Sequence, residues 1–260
     1  METLIELRGI RVTNQDYNIL QDINLRIPNG KSTFILGPTG SGKSTLLKVI
    51  AGLTVPDAGH VAIMGRDYHK MTNHEHRLLR RMAGFVFQDG ALWANQSVFN
   101  NLFVPLQFHD PDIRHQDASE RIKTMLARVG YNDSVQIRPS NLSTGEQKLI
   151  AFARSLILEP SLLFLDEPTS FIDETAEKRI LGILDEFRKA RKTMVAVSNF
   201  YNLAFRMADY LCIMDRGKVH CMDTIENVVA DWPSFMMPIE AKHQRVLDRR
   251  FDTKHEEPKG

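Results

Sequence analysis

Residues 37–45 read GPTGSGKST, and the eight positions from Gly37 to Ser44 match G-x-x-x-x-G-K-[ST] without a gap. The apolar run STFIL (32–36) leads straight into this stretch, and TLLKVIAGL (45–53) leaves it with helical spacing. The sequence therefore predicts strand, glycine-rich loop, helix, the context this motif requires. Gly40 and Gly42, set among Gly37, Pro38, Thr39 and Ser41, let backbone N–H groups turn inward around phosphate oxygens. The helix starting near Lys43 directs the positive end of its dipole at the same anion. Lys43 is expected to reach the β- and γ-phosphates and Ser44 to ligate Mg²⁺ through its hydroxyl, with Thr45 following into the helix.

Outward from this loop the pattern is strand and helix in alternation. LIELRGI (4–10) and ILQDINLRI (19–27) read as strands before STFIL, with Pro28-Asn29-Gly30 as a turn. A short strand pair is expected around HVAIMG (60–65), a helix over NHEHRLLRRM (73–82) and a strand at GFVFQ (84–88). From Asp89 to about Leu158 the texture becomes helix-rich, through VFNNLFVPLQF, ASERIKTMLARVG and EQKLIAFARSLIL, and is taken as an inserted helical subdomain. Alternation resumes with SLLFLDEP, ETAEKRILGILDEFRKA, TMVAVS and NLAFRMADY, which calls for a mostly parallel sheet covered on both faces. The last part, 226–260, is dense in charge; a solvated, partly disordered tail and a docking arm are both open readings.

The bulk numbers restrict the function classes. A chain of 260 residues with 43% hydrophobic and 25% charged content buries a large core. Its formal net charge of +1 provides no overall basic field for nucleic acid or anionic lipid. No apolar run approaches the ~20 residues needed to span a bilayer, and METLIELRG lacks the apolar core of a secretory signal. Cys212 and Cys221, on two short strands around Asp215-Arg216-Gly217, read either as a disulfide across the hairpin or, the favoured reading, as small hydrophobes in a reducing compartment. His74 and His76 are spaced to point to different faces of a helix, which reads as a polar surface and not as a metal pair.

A second half-site follows from Leu162-Leu163-Phe164-Leu165-Asp166-Glu167: four apolar residues of a buried strand ending in two carboxylates at its carboxyl tip, where α/β sheets present chemistry. Asp166 is expected to hold Mg²⁺ and Glu167 to orient or deprotonate the attacking water. Gln88, at the border of the helical insertion, is placed to reach both metal and water.

Together these stretches resemble the ATP-binding cassette (ABC) ATPases. GPTGSGKST, the Gln88 loop, NLSTGEQ (141–147), LLFLDEP (162–168) and SFID (170–173) fall in that family's order and approximate spacing; the resemblance covers roughly residues 4–225 and sets the ATPase domain at 1–225. It implies a P-loop NTPase cassette of α/β class, with a mostly parallel central sheet, an N-terminal antiparallel β subdomain and the helical subdomain inserted at about 89–158. It also implies ATP and Mg²⁺ as ligands and a head-to-tail pair of cassettes. In that pair Ser143 and the backbone of Gly145 would bind the γ-phosphate held by the other copy, and Asp173 would cross the interface. Three departures stand out. Thr144 replaces the usual glycine, and Asn14 falls where an adenine-stacking aromatic is usual, with Tyr17 either substituting or serving as an ordinary strand-end tyrosine. Asn199 occupies the position of the family's switch histidine, which implies slowed turnover.

Within the family, FVFQDGALWANQSVFNNLFVPLQF (85–108) is similar to the Gln-loop region of the ATPases of Mla/Mce-type phospholipid transporters; importers and lipoprotein-release ATPases share part of it. That likeness implies a peripheral subunit on the cytoplasmic face of the inner membrane, with permease subunits and an Mce-type lipid-binding protein as partners and no nucleic acid. Trp93 and Phe99 are read either as part of a permease-docking groove or as core of the insertion.

Overall fold

The computed structural model describes the backbone of residues 2–15 and 17–254. The chain divides into two compact units, one formed by residues up to Lys70 together with those from Val195 onward, the other by Met71–Met194. Its architecture is α/β, with an antiparallel sheet and a mixed, mostly parallel one.

In the first unit, strands β1 (Thr3–Asn14) and β2 (Tyr17–Pro28) bury Ile5, Leu7, Ile10 and Val12 on one and Leu20, Ile23, Leu25 and Ile27 on the other. Near-alternation of this kind builds a sheet with one dry face. β4 (Ala58–Ile63) pairs antiparallel with the free side of β1, and β5 (Arg66–Asp67) completes the order β2-β1-β4-β5. β3 (Ser32–Leu36) differs in having all five residues buried, as a strand covered on both faces must. It runs parallel to β9 (Tyr210–Asp215), Thr33 opposite Tyr210 through Leu36 opposite Ile213. β9 turns through Arg216-Gly217, at φ 45° and 76°, into the antiparallel β10 (Lys218–Thr224). Cys212 and Cys221 are both free thiols and are not directly opposed, since Cys221 pairs with Ile213 and Met222 with Cys212.

Helix α1 (Lys43–Ile50) follows the phosphate loop, and α7 (Tyr201–Met207), α8 (Ile225–Ala230) and α9 (Ala241–Lys254) lie in the later part of this unit. The charged C-terminal stretch is thus folded through residue 254, with residues 255–260 outside those described. Its contacts explain why. Leu247 is fully buried, and the His243 ring lies 5.5 Å from that of Tyr201 and 6.0 Å from that of Phe205. Arg250 donates to the carbonyls of Phe205, at 2.9 Å, and Ala208, satisfying acceptors that the end of α7 leaves open.

The second unit holds α2 (Asn73–Met82), opened by a Thr72–Glu75 capping box, and the parallel pair β6 (Ala83–Val86) and β7 (Leu162–Asp166). Helices α3 (Val98–His109), α4 (His115–Val129) and α5 (Thr144–Leu156) occupy the expected insertion. The compact unit is larger than 89–158, because β6, β7 and α6 (Glu174–Lys189) cluster with them. α4 ends at Gly130, whose φ of 93° lets its N–H return to the Leu126 and Ala127 carbonyls at 3.0 and 3.1 Å. Phe99, offered above as groove or core, is core: it is 8% exposed and its ring stacks on Phe103 and His115 at 5.4 and 5.2 Å. The division of the chain falls within β8 (Thr193–Val197), all five residues of which are buried. Among the described residues no helix is long and apolar enough to cross a membrane.

Candidate nucleotide site

The phosphate loop, residues 37–42, hangs between β3 and α1, and its tightness comes from what it touches. A Cβ at Gly37 would stand 2.2 Å from the Met214 carbonyl oxygen, and one at Gly42 2.8 Å from that of Ile19, so neither position takes a side chain. Gly42 also heads α1 at φ 95° with no side-chain cap, and no acidic residue sits in the first turn. The positive end of this helix is therefore left for an external anion. Lys43 is 6% exposed, and its ammonium donates to the Gly37 and Pro38 carbonyls at 2.9 Å each, which lays it over the concave side of the loop. Ser41 is buried, its carbonyl accepts from Gly217 N–H at 3.1 Å, and Gly217 in turn accepts from Gln21 N–H at 2.8 Å. The loop is thus braced by β2 and by the β9–β10 turn.

Tyr17 opens β2 directly opposite Asn14 and is 78% exposed, two residues before the Ile19 carbonyl that backs Gly42. A flat, exposed ring is a condition of base stacking, which this position meets. Asn199 is exposed in the short segment between β8 and α7. The preceding Ser198 is 1% exposed, and its hydroxyl accepts from Phe200 N–H at 3.0 Å, forming the local turn that presents Asn199.

In the second unit, Asp166 ends β7 and Glu167 follows it, at 2% and 4% exposure. Glu167 has left the strand with φ 49°, a backbone state uncommon outside glycine, and its Oε2 lies 3.4 Å from the Ser170 hydroxyl. Strand β6 stops at Val86, so Gln88 stands in a loop and not at a strand end as the sequence suggested. Two adjacent buried carboxylates demand cationic company. Lys148 supplies part of it: at 3% exposure its ammonium donates to the Phe87 and Gln88 carbonyls at 3.0 Å and lies 3.5 Å from that of Asp166. Burial pushes its pKa down to about 8, against the pull of Asp166, Glu167 and Asp89. Oxygen donors are the kind Mg²⁺ prefers: Gln88 and Asp166 offer them within this unit, and Ser44 offers one within the first.

The stretch NLSTGEQ starts α5. Ser143 is its N-cap, accepting from Glu146 N–H at 3.2 Å, while the Glu146 carboxylate accepts from Ser143 N–H at 2.8 Å and from its hydroxyl at 2.6 Å. This reciprocal box commits the hydroxyl expected to meet a phosphate, and it places a negative charge at the helix entrance. Thr144 is exposed, and a Cβ at Gly145 would come within 3.2 Å of the Phe171 carbonyl. Asp173 caps α6 through Ala176 N–H at 2.8 Å. Sequence reading missed Lys148 and Arg154; the available signal was two cations, six positions apart, inside the apolar helix EQKLIAFARSL.

A profile described as ABC transporter matches residues 20–170. The chain belongs to the ABC transporter family. This cassette is 32% identical over 201 residues to the cell division ATP-binding protein FtsE of Escherichia coli, a match covering 77% of this chain and 90% of that one. To the intermembrane phospholipid transport system ATP-binding protein MlaF of Haemophilus influenzae it is 31% identical over 229 residues, covering 88% and 86%. The methionine import ATP-binding protein MetN of Clostridium acetobutylicum is 30% identical over 226 residues, covering 86% and 70%. Among solved structures, the dimeric post-hydrolysis state of the ATP-binding cassette MJ0796 with ADP and Pi superposes with a TM-score of 0.79 at 26% identity, covering 85% of this chain and 99% of that one.

Proposed function

We propose that this ABC cassette binds and hydrolyses ATP as the energy-converting subunit of a membrane transporter, in two copies beneath permease subunits at the cytoplasmic face of the inner membrane. The observation that carries the reading is that one chain holds both an uncapped, anion-ready phosphate loop and, in its other unit, two buried carboxylates at the tip of β7. In this scheme Lys43 and the loop N–H groups bind the β- and γ-phosphates and Tyr17 stacks on the base. Ser44, Asp166 and Gln88 hold Mg²⁺, which offsets phosphate charge when bound, and Glu167 takes the proton of the attacking water. Ser143 and Gly145 of the second copy close on the γ-phosphate.

The cargo we assign is phospholipid or another lipid of the cell envelope, with an Mce-type lipid-binding protein in the assembly. The likeness of residues 85–108 to that transporter type and the relation to MlaF support it. The relation to MetN favours a second reading, an importer of a small solute. Purifying the chain with its membrane partners and identifying the bound cargo separates the two: phospholipid supports the first, and a water-soluble solute with no lipid overturns it.

Asparagine at 199 keeps a donor and an acceptor for the γ-phosphate and Glu167 but never carries a positive charge. Turnover is therefore slow, and Asn199→His raises it. Glu167→Gln abolishes phosphate release while ATP binding persists; retention of the wild-type rate by that variant removes the general base from the scheme.

A further inference from the structure

Helix α5 sends two cations inward, and both grip the backbone of one loop. The Lys148 ammonium has three N–H groups and three carbonyls around it, those of Phe87, Gln88 and, more distantly, Asp166. Six residues on, Arg154 donates to the Gly90 and Ala91 carbonyls at 2.9 Å each and stands 5.8 Å from the Trp93 ring centroid. From α3 the fully buried Asn101 accepts from Trp93 N–H at 2.9 Å and donates to its carbonyl at 3.2 Å. Loop carbonyls are ordinarily satisfied by water at no cost in buried charge. Here a nearly inaccessible lysine performs that task at Phe87 and Gln88, the two residues that follow β6, and reaches across to the last residue of β7.

We propose that Lys148 is a positioning residue that fixes Gln88 and Asp166 to the helix headed by Ser143, so that a displacement of α5 moves the glutamine and the carboxylate with it. This rests on the catalytic reading of Gln88 and Asp166 given above. Lys148 itself touches only backbone oxygens, and its effect falls on the chemical step and not on nucleotide binding. Arg154 and Asn101 hold the rest of the loop, so the loop survives loss of Lys148 but loses its register at Gln88.

The test is steady-state ATP hydrolysis by the full chain, with nucleotide binding and circular dichroism followed on each variant. Lys148→Met is expected to lower kcat about tenfold or more with KM for ATP within about twofold, since small misplacement of reacting groups is costly. Lys148→Arg, which retains charge and donors, is expected to recover most of the rate. In a Gln88→Ala background the Lys148→Met loss shrinks to the part transmitted through the more distant Asp166 carbonyl, because one of the two residues it acts through is already removed. An unchanged kcat, a parallel rise in KM, or a full-size loss in the Gln88→Ala background overturns the proposal. If the methionine variant does not fold, Lys148→Gln carries the same comparison. A Glu167→Gln control separates the two layers: hydrolysis persisting there breaks the catalytic reading, whereas its loss together with an indifferent Lys148→Met breaks only the positioning role.

Discussion

At Lys148, charge and burial oppose one another with a measurable consequence. Its pKa is lowered from 10.5 to about 8 by desolvation, so between those values the unfolded chain holds a proton that the folded chain has released. Stability attributable to this side chain therefore rises with pH across that window and is lowest below about 8, where a charge is held in the interior. Relative to Lys148→Met, the wild-type chain should gain on the order of 3 kcal/mol in urea unfolding, in chelator, from pH 7.5 to 10.5. A flat difference would show that the ammonium is not desolvated. The lysine stood out only as a cation in an apolar helix, and its role was not legible in the sequence because its acceptors Phe87 and Gln88 lie 61 and 60 residues away. The phosphate loop was legible for the opposite reason, since its chemistry is packed into eight consecutive residues that the backbone itself arranges.

Elements add effects that no single side chain has. Helices α1 and α5 both begin at positions assigned to phosphate, but α1 starts on glycine with a bare first turn whereas α5 carries Glu146 across its entrance. Hydrogen bonds from Ser143 hold the Glu146 carboxyl below its usual range. The box is therefore intact at neutral pH and lost as acid protonates the carboxylate through that lowered value. Glu146→Gln preserves the reciprocal bonds and removes the charge, so KM for ATP should fall by about two- to fivefold at low ionic strength, an effect that salt erases. At the other end of a helix, Gly130 adopts φ 93°, and a Cβ there would meet Arg179 at 2.6 Å. Gly130→Ala should cost about 1 kcal/mol or more in denaturant unfolding.

Over the whole molecule, strand and helix order followed from the alternation of apolar residues, and the fully buried β3, β7 and β8 were recognisable as continuous apolar runs. The C-terminal stretch was not, because α9 is polar over most of its length and packs through a few separated positions, Leu247 and His243 among them. If that packing is part of the core, Leu247→Ala should cost about 2–5 kcal/mol, whereas a solvated tail would lose almost nothing. Function should divide along the chain as well. Lys43→Ala, in the first unit, should remove ATP binding, while Glu167→Gln, in the second, should remove hydrolysis and spare binding; fluorescent-nucleotide titration of both variants checks this.

The pairing of β3 with β9 has a consequence for how the protein comes into being. Thr33 meets Tyr210, a partner 177 positions later, and the phosphate loop rests against Met214 and Gly217 from the same late region. A ribosome adding roughly 5–20 residues per second leaves β3 without that neighbour for about 10–35 s. A truncated or stalled chain carries the whole nucleotide motif in its sequence and lacks the wall against which the loop is shaped. A chain truncated before β9 is therefore expected to lose ATP binding, which nucleotide titration of such a truncation checks.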